Sequence, residues 1–215
     1  MYSYADFMKK LSDNPVVPVV AIEKKEDVLP LAKALIAGNC KIIEITLRTK
    51  EGIDAIRLLR KSNLDILVGA GTVINTDQFK ELEDIGVDFI VSPGGTDQML
   101  QYAAESTMAY LPGVMTSSEV LKTMTYGFKI QKLFPAMIAG GASALNAYSS
   151  VYGDVKFCPT GGINSENFTD FLSLSNVCAI GGTWIAKTSD INNHYWDVIE
   201  ERAKVINTML KEFAK

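Results

Sequence analysis

Eight short runs rich in β-branched residues recur along this chain, roughly every 21 to 26 residues, and that period narrows the possible folds more than any other feature. The runs are VVPVVAI (16–22), KIIEITL (41–47), DILVGAG (65–71), VDFIVSP (87–93), MAYLP (108–112), FKIQKLF (128–134), VKFCPTG (155–161) and NVCAIGG (176–182). Stretches with helical spacing separate them, such as KEDVLPLAKALIAGN (25–39) and TDQFKELEDIG (76–86). Asp27, Asn75 or Thr76, Ser117 and Asn164 suit helix N-caps, and Gly38, Gly86 and Gly127 fall where helices should end. Phe7, Met8 and Leu11 add a helical pattern before the first run. One strand, one helix and two tight loops fill each repeat. The expected fold is therefore an α/β (β/α)8 barrel with an N-terminal helix, a single domain over residues 1–215. An open doubly wound sheet is the alternative, but such sheets usually stop at about five or six strands, and the first βα turn here lacks a Gly-rich fingerprint. Pro18 is a misfit, having no N–H for a closed ladder, and a bulge in the first strand could accommodate it.

With 215 residues, 47% hydrophobic and 21% charged, the chain can bury a core without a disulfide or metal staple. Its three cysteines (Cys40, Cys158, Cys178) form no close-spaced pair, which fits reduced thiols in the cytoplasm better than a secreted scaffold. The first residues lack the apolar core of a signal peptide, and no run approaches the roughly 20 apolar residues of a membrane span. At a net charge of −4 there is no global attraction for nucleic acid, and an anionic substrate would be held by a few local groups. The single histidine, His194, is expected to pack or cap a helix. No strand end offers His or Cys at metal-ligand spacing, so no metal or other cofactor is expected.

In barrels of this kind the chemistry sits at the C-terminal ends of the strands. In the second run Ile43, Ile45 and Leu47 share one face, and Glu44, Thr46 and Arg48 share the other. In the sixth, Lys132 shares a face with Ile130 and Phe134, where an ammonium group costs free energy unless it is paired or neutral. A strand-end lysine that snorkels to water is the plainer account. The third run ends in GAGT, with Thr72, and the fourth in SPGG (92–95). The last two lead into PTGGIN (159–164) and IGGTW (180–184), each a glycine pair beside a threonine, Thr160 and Thr183. Backbone N–H groups and a short helix N-terminus can hold a phosphate there without lysine or arginine. A neutral lysine amine can attack a ketone to form a Schiff base, Glu44 is the best-placed general acid/base, and the Arg48 guanidinium suits a substrate carboxylate. Together these groups fit a metal-free aldolase for a phosphorylated 2-keto acid.

EITLR (44–48), GAGT (69–72), SPG (92–94), KLFPA (132–136), PTGGI (159–163) and IGGTW (180–184) occur in the order of one known family. Over nearly its whole length the chain resembles the 2-dehydro-3-deoxy-6-phosphogluconate (KDPG) aldolases, also known as 4-hydroxy-2-oxoglutarate aldolases. The resemblance implies that Lys132 is the Schiff-base lysine and Glu44 the proton-transfer residue. Arg48 and Thr72 would hold the pyruvate carboxylate, with Pro93 and Phe134 walling the pocket. Thr160 would contact a substrate hydroxyl, and Gly161, Gly162, Gly182 and Thr183 would bind the phosphate. It also implies a cytoplasmic homotrimer that splits KDPG to pyruvate and glyceraldehyde 3-phosphate in the Entner–Doudoroff route, and possible cleavage of 4-hydroxy-2-oxoglutarate to pyruvate and glyoxylate. Three residues depart from the family pattern. Gly95 stands where Leu is frequent, which would loosen the pocket wall, Met137 replaces a frequent Glu, and Thr183 replaces Ser. Galactonate-specific relatives tend to carry Val at position 160, so Thr160 favours the gluconate substrate over its 6-phosphogalactonate epimer. Other readings of the same residues are a phosphosugar isomerase or epimerase in which Lys132 acts only as a charge, and a non-catalytic binder of phosphate esters.

Overall fold

The computed structural model describes residues 4–213. Helix α1 (Tyr4–Asp13) buries Phe7 and Leu11, with Met8 half-covered, and the Phe7 ring lies 5.6 Å from that of Phe89. Strands and helices then alternate as the sequence period requires. They are β1 (Val16–Val20), α2 (Val28–Ala37), β2 (Ile42–Thr46), α3 (Gly52–Arg60), β3 (Leu67–Gly71), α4 (Thr76–Ile85), β4 (Phe89–Val91) and α5 (Asp97–Glu105). After them come β5 (Ala109–Leu111), β6 (Gly113–Val114), α6 (Ser117–Thr125), β7 (Ile130–Leu133) and α7 (Gly141–Ser149). The chain closes with β8 (Lys156–Phe157), α8 (Phe168–Leu172), β9 (Ile180–Gly182), α9 (Thr188–Asn192) and α10 (Trp196–Phe213). Both faces of these strands are covered, and β1 and β2 are buried at every position, as parallel strands under helices should be.

All strand pairs are parallel. Six strands pair in the order β5-β4-β3-β2-β1-β9, and a second sheet pairs β6-β7-β8. The single eight-stranded ladder expected from the sequence is thus divided. Pro112, which has no N–H to offer a ladder, separates β5 from β6, so the fifth run is split and continues past its expected end. Between β8 and β9 the pairing reduces to two isolated bridges, Phe157 with Val177 and Thr160 with Gly181. The fold is a curled parallel α/β sheet wrapped by helices, with one contiguous buried core.

Several local expectations change. Pro18 makes no bulge: pairing to β9 runs in constant register through Val16, Val17 and Pro18, and pairing to β2 begins at Val19, so the missing N–H falls where one ladder gives way to the other. Asn75 caps α4 by accepting from the Gln78 N–H at 2.9 Å. Thr116, rather than Ser117, caps α6, because its side chain and that of Glu119 form a reciprocal capping box. Asp27 ends a short 3-10 turn and makes no side-chain cap. Asn164 accepts from the Glu166 N–H within a turn, and α8 begins only at Phe168. Gly86 ends α4 in the left-handed conformation at φ +77°, whereas Gly38 has φ −81° and its hydrogen instead makes room for Ala203 of α10. His194 closes α9 in the left-handed conformation at φ +57°, its N–H donating to the Ile191 carbonyl at 3.0 Å, and its ring stacks on Trp196 and meets Asp27 Oδ1 at 3.1 Å.

Candidate active site

A cavity of about 340 Å³ opens among the C-terminal ends of the strands. Its floor is the charged pair Lys132–Glu44. Lys132 on β7 is 6% exposed and Glu44 on β2 is 3% exposed, and Lys132 Nζ lies 3.1 Å from Glu44 Oε1. Two charges this deeply buried would be costly alone, and each is the other's compensation. The Phe134 ring stands 5.4 Å from Nζ and adds an aromatic face to the cation's surroundings. Lys132 therefore does not snorkel to water.

The glycine at the end of β3 makes this meeting possible. A Cβ on Gly71 would fall 2.1 Å from Glu44 Oε1, so only glycine leaves the carboxylate where it is. The next residue, Thr72, lines the cavity at φ +60°, a left-handed conformation that costs a β-branched residue about 1–3 kcal/mol. Strain of that kind gathers at functional sites.

From Glu44 the face of β2 rises to Thr46, and Arg48 follows in the turn beyond the strand end. Thr46 is buried and Arg48 is exposed at the mouth. The Thr46 hydroxyl donates to the Val20 carbonyl at 2.8 Å and accepts from Arg48 Nε at 3.1 Å. Pro93 and Phe134 form part of the wall.

The other end of the cavity is made by the segments after β8 and at β9. Gly161 and Gly162 hold φ of +103° and +81°. Their carbonyls accept from the Met137 N–H and from Asn167 Nδ2, and the bridge between Thr160 and Gly181 turns the Gly161 N–H toward the Gly181 carbonyl, while among the described residues no acceptor takes the Gly162 N–H. That donor is available to an anion. Neither short helix starts directly at the glycines, since α8 begins at Phe168 and α9 at Thr188; the cradle is loop backbone rather than a helix terminus. Gly182 and Thr183 line the same end, and Gly182 is also needed because a Cβ there would overlap the Trp184 ring at 1.6 Å. Thr160 Oγ1 is buried in the lining and has no hydrogen-bond partner among the described residues.

Every site residue expected from the sequence thus lines one cavity: Lys132, Glu44, Arg48, Thr72, Pro93, Phe134, Thr160, Gly161, Gly162, Gly182 and Thr183. A family model for KDPG and KHG aldolase matches residues 7–202. The chain belongs to that family. It is 42% identical over 194 residues to the KHG/KDPG aldolase of Escherichia coli (strain K12), covering 90% of this chain and 91% of that protein. A crystal structure of KDPG aldolase from Legionella pneumophila, with pyruvate captured at low pH as a covalent carbinolamine intermediate, superposes with a TM-score of 0.89 at 43% identity, over 92% of this chain and 96% of that one. The 2-keto-3-deoxy-6-phosphogluconate aldolase of Zymomonas mobilis ZM4, solved with 3-phosphoglycerate, gives a TM-score of 0.83 at 35% identity, over 92% and 93% of the two chains.

Measured against the family pattern, Gly95 does not line the cavity; a Cβ there would press on the Leu100 side chain of α5 at 2.8 Å. Met137 is also outside the lining, with its Cγ lying over Gly162. Three lining residues, Val19, Ile163 and Gly181, carry no chemical mark in the sequence. Gly181 is required because a Cβ would meet Thr160 Oγ1 at 2.4 Å, and Val19 is in register with Glu44 across the β1–β2 ladder. Near the floor, burial with Cys178 close by pushes the Cys158 thiol well above its ordinary range, which keeps it protonated and inert beside the lysine. Among the described residues no group of three or more His, Cys, Asp and Glu side chains is placed to share a metal ion.

Proposed function

We propose that this protein is a Schiff-base aldolase that cleaves KDPG to pyruvate and glyceraldehyde 3-phosphate, with Lys132 as nucleophile and Glu44 as proton carrier. The observation that carries it is the buried Lys132–Glu44 contact of 3.1 Å at the floor of a cavity whose far end presents the Gly162 N–H, which no acceptor among the described residues takes. Family membership and the pyruvate carbinolamine of the Legionella relative support the same chemistry.

A proton passing from Lys132 to Glu44 frees the amine lone pair, which adds to the C2 ketone of the substrate. The carbinolamine loses water, using a proton that Glu44 returns, and becomes an iminium. The C3–C4 bonding electrons then flow into the iminium as the C4 hydroxyl gives up its proton, and the aldehyde leaves. The enamine is protonated at C3, and water hydrolyses the iminium to pyruvate and free lysine. One carboxylate within reach of Nζ can serve each of these transfers in turn. In this scheme Arg48 and Thr72 hold the C1 carboxylate, Pro93 and Phe134 wall the ketone, and Gly161, Gly162, Gly182 and Thr183 receive the phosphate. The partnerless Thr160 hydroxyl supplies a hydrogen bond to a substrate hydroxyl, which favours the gluconate configuration. Cleavage of 4-hydroxy-2-oxoglutarate by the same steps belongs to the proposal.

The proposal extends to a single closed eight-stranded barrel domain, with the isolated bridges between β8 and β9 and the β5–Pro112–β6 succession as support. It extends to a homotrimer, for which exposed apolar side chains such as Ile138 (75%) and Ile74 (59%) supply surface to cover. A cytoplasmic setting suits three buried, unpaired thiols. Among the described residues no helix is long and apolar enough to cross a membrane.

Borohydride reduction with pyruvate, followed by peptide mass spectrometry, tests the chemistry. A reduced pyruvyl adduct on Lys132 is expected. A folded protein that gives none is not a Schiff-base aldolase.

A further inference from the structure

We infer that Thr46 is a positioning residue that aims the Arg48 guanidinium at the substrate carboxylate, a role that rests on the aldolase reading above. The starting observation is an exposed arginine with a single tether. Arg48 stands at the mouth of the cavity, and among the described residues its only hydrogen bond is from Nε to Thr46 Oγ1, at 3.1 Å. A long side chain open to water otherwise samples many rotamers, and binding a carboxylate through it would require ordering it each time.

Proton directions in this relay are forced. The Val20 carbonyl can only accept and the Arg48 Nε–H can only donate, so the Thr46 hydroxyl gives its hydrogen to Val20 and turns a lone pair to Arg48. Thr46 itself is 2% exposed and ends β2, where its backbone pairs with Gly71, so the acceptor sits on rigid structure. With Nε engaged, the two terminal nitrogens are the free edge of the fork, the edge that can take both oxygens of a carboxylate. Placement matters for this ligand class. In a 2-oxo acid the carboxylate is one bond from the ketone carbon that Lys132 attacks. The guanidinium must then reach back down the cavity rather than out to solvent. Thr46 ends β2 on the face that carries Glu44, Arg48 follows in the turn beyond the strand, and the bond to Nε ties the guanidinium to the cavity lining.

The test measures borohydride trapping against pyruvate concentration for the wild-type protein, Thr46→Val, Thr46→Ser, Arg48→Ala and Thr46→Val combined with Arg48→Ala. Thr46→Val keeps the shape and removes the hydroxyl, and should raise the half-saturating pyruvate concentration by about ten- to hundredfold. The trapping rate at saturation should stay within about twofold of wild type. Thr46→Ser, which keeps the relay, should recover most of the loss. In the Arg48→Ala background Thr46→Val should add nothing further, because its effect runs through the arginine. A shift below about twofold in Thr46→Val, or the same shift with and without Arg48, overturns the inference. Melting curves are read first, and Thr46→Ala supplies the same comparison if the valine protein does not fold. Failure of the wild-type protein to form any pyruvate adduct would bring down the aldolase reading itself, a result distinct from a wild-type adduct whose pyruvate dependence ignores Thr46.

Discussion

Glu44 Oε1 and Lys132 Nζ meet at 3.1 Å although 88 residues separate them, because β2 and β7 direct these two side chains into one cavity. The contact is an ion pair, and in the proposed mechanism it is also the path of the proton. Glu44→Gln keeps the size of the side chain and a hydrogen-bonding oxygen, but it cannot carry a proton. Steady-state kinetics on KDPG should show kcat lower by roughly 10²–10⁴ with KM little changed. A rise confined to KM would make Glu44 a binding group instead.

Gly71 controls the same contact from a third strand. A methyl group there would stand 2.1 Å from Glu44 Oε1 and must push the carboxylate aside. Gly71→Ala should therefore lower kcat by about tenfold or more, since small misplacements of a catalytic group are costly. Gly153→Ala is the matched control, because a Cβ at that position meets nothing within 4 Å. If both variants keep wild-type turnover, the position of Glu44 is less critical than the geometry requires.

Much of this site is legible in the sequence because its groups are chemically conspicuous. A lysine between Ile130 and Phe134, and a Glu-x-Thr-x-Arg alternation on a buried strand, violate the apolar pattern of their surroundings. Val19, Ile163 and Gly181 line the same cavity and violate nothing, so alternation alone cannot single them out. Strand positions are legible from periodicity, since each of the eight runs holds a strand, but neither the break at Pro112 nor the additional strand after it is, because Gly113–Val114 is too short to carry a strand signal of its own. The helix N-termini expected after the glycine pairs are absent as well, at α8 for a local reason. Asn164 and Asn167 fold the segment after the glycines into a side-chain-bonded turn, which delays α8 to Phe168.

On the proposed reading, Gly162 separates phosphate binding from Schiff-base chemistry. Its φ of +81° disfavours any side chain, and a Cβ would stand 2.5 Å from Met137 Cγ. Gly162→Ala should raise KM for KDPG by about tenfold or more. Trapping of pyruvate, which has no phosphate, should stay within about twofold of wild type. Equal losses in the two assays would show that the glycine shapes the whole cavity rather than an anion cradle.

Burial of the thiols makes a prediction for alkaline stability. Desolvation raises Cys40 from 9.0 to about 11 and Cys178 to about 12, so the folded state binds these protons more tightly than the unfolded chain. Below pH 9 the thiols are protonated in both states and cost nothing. As the pH rises beyond that, the unfolded chain ionises first, and each thiol lowers stability by up to about 1.4 kcal/mol per pH unit until its folded value is reached. Urea midpoints should therefore fall between pH 9 and 11, and Cys40→Ala should flatten that fall even though the cavity it leaves lowers stability at every pH. An unchanged slope in Cys40→Ala would mean that this thiol ionises in the folded protein as readily as in the unfolded chain.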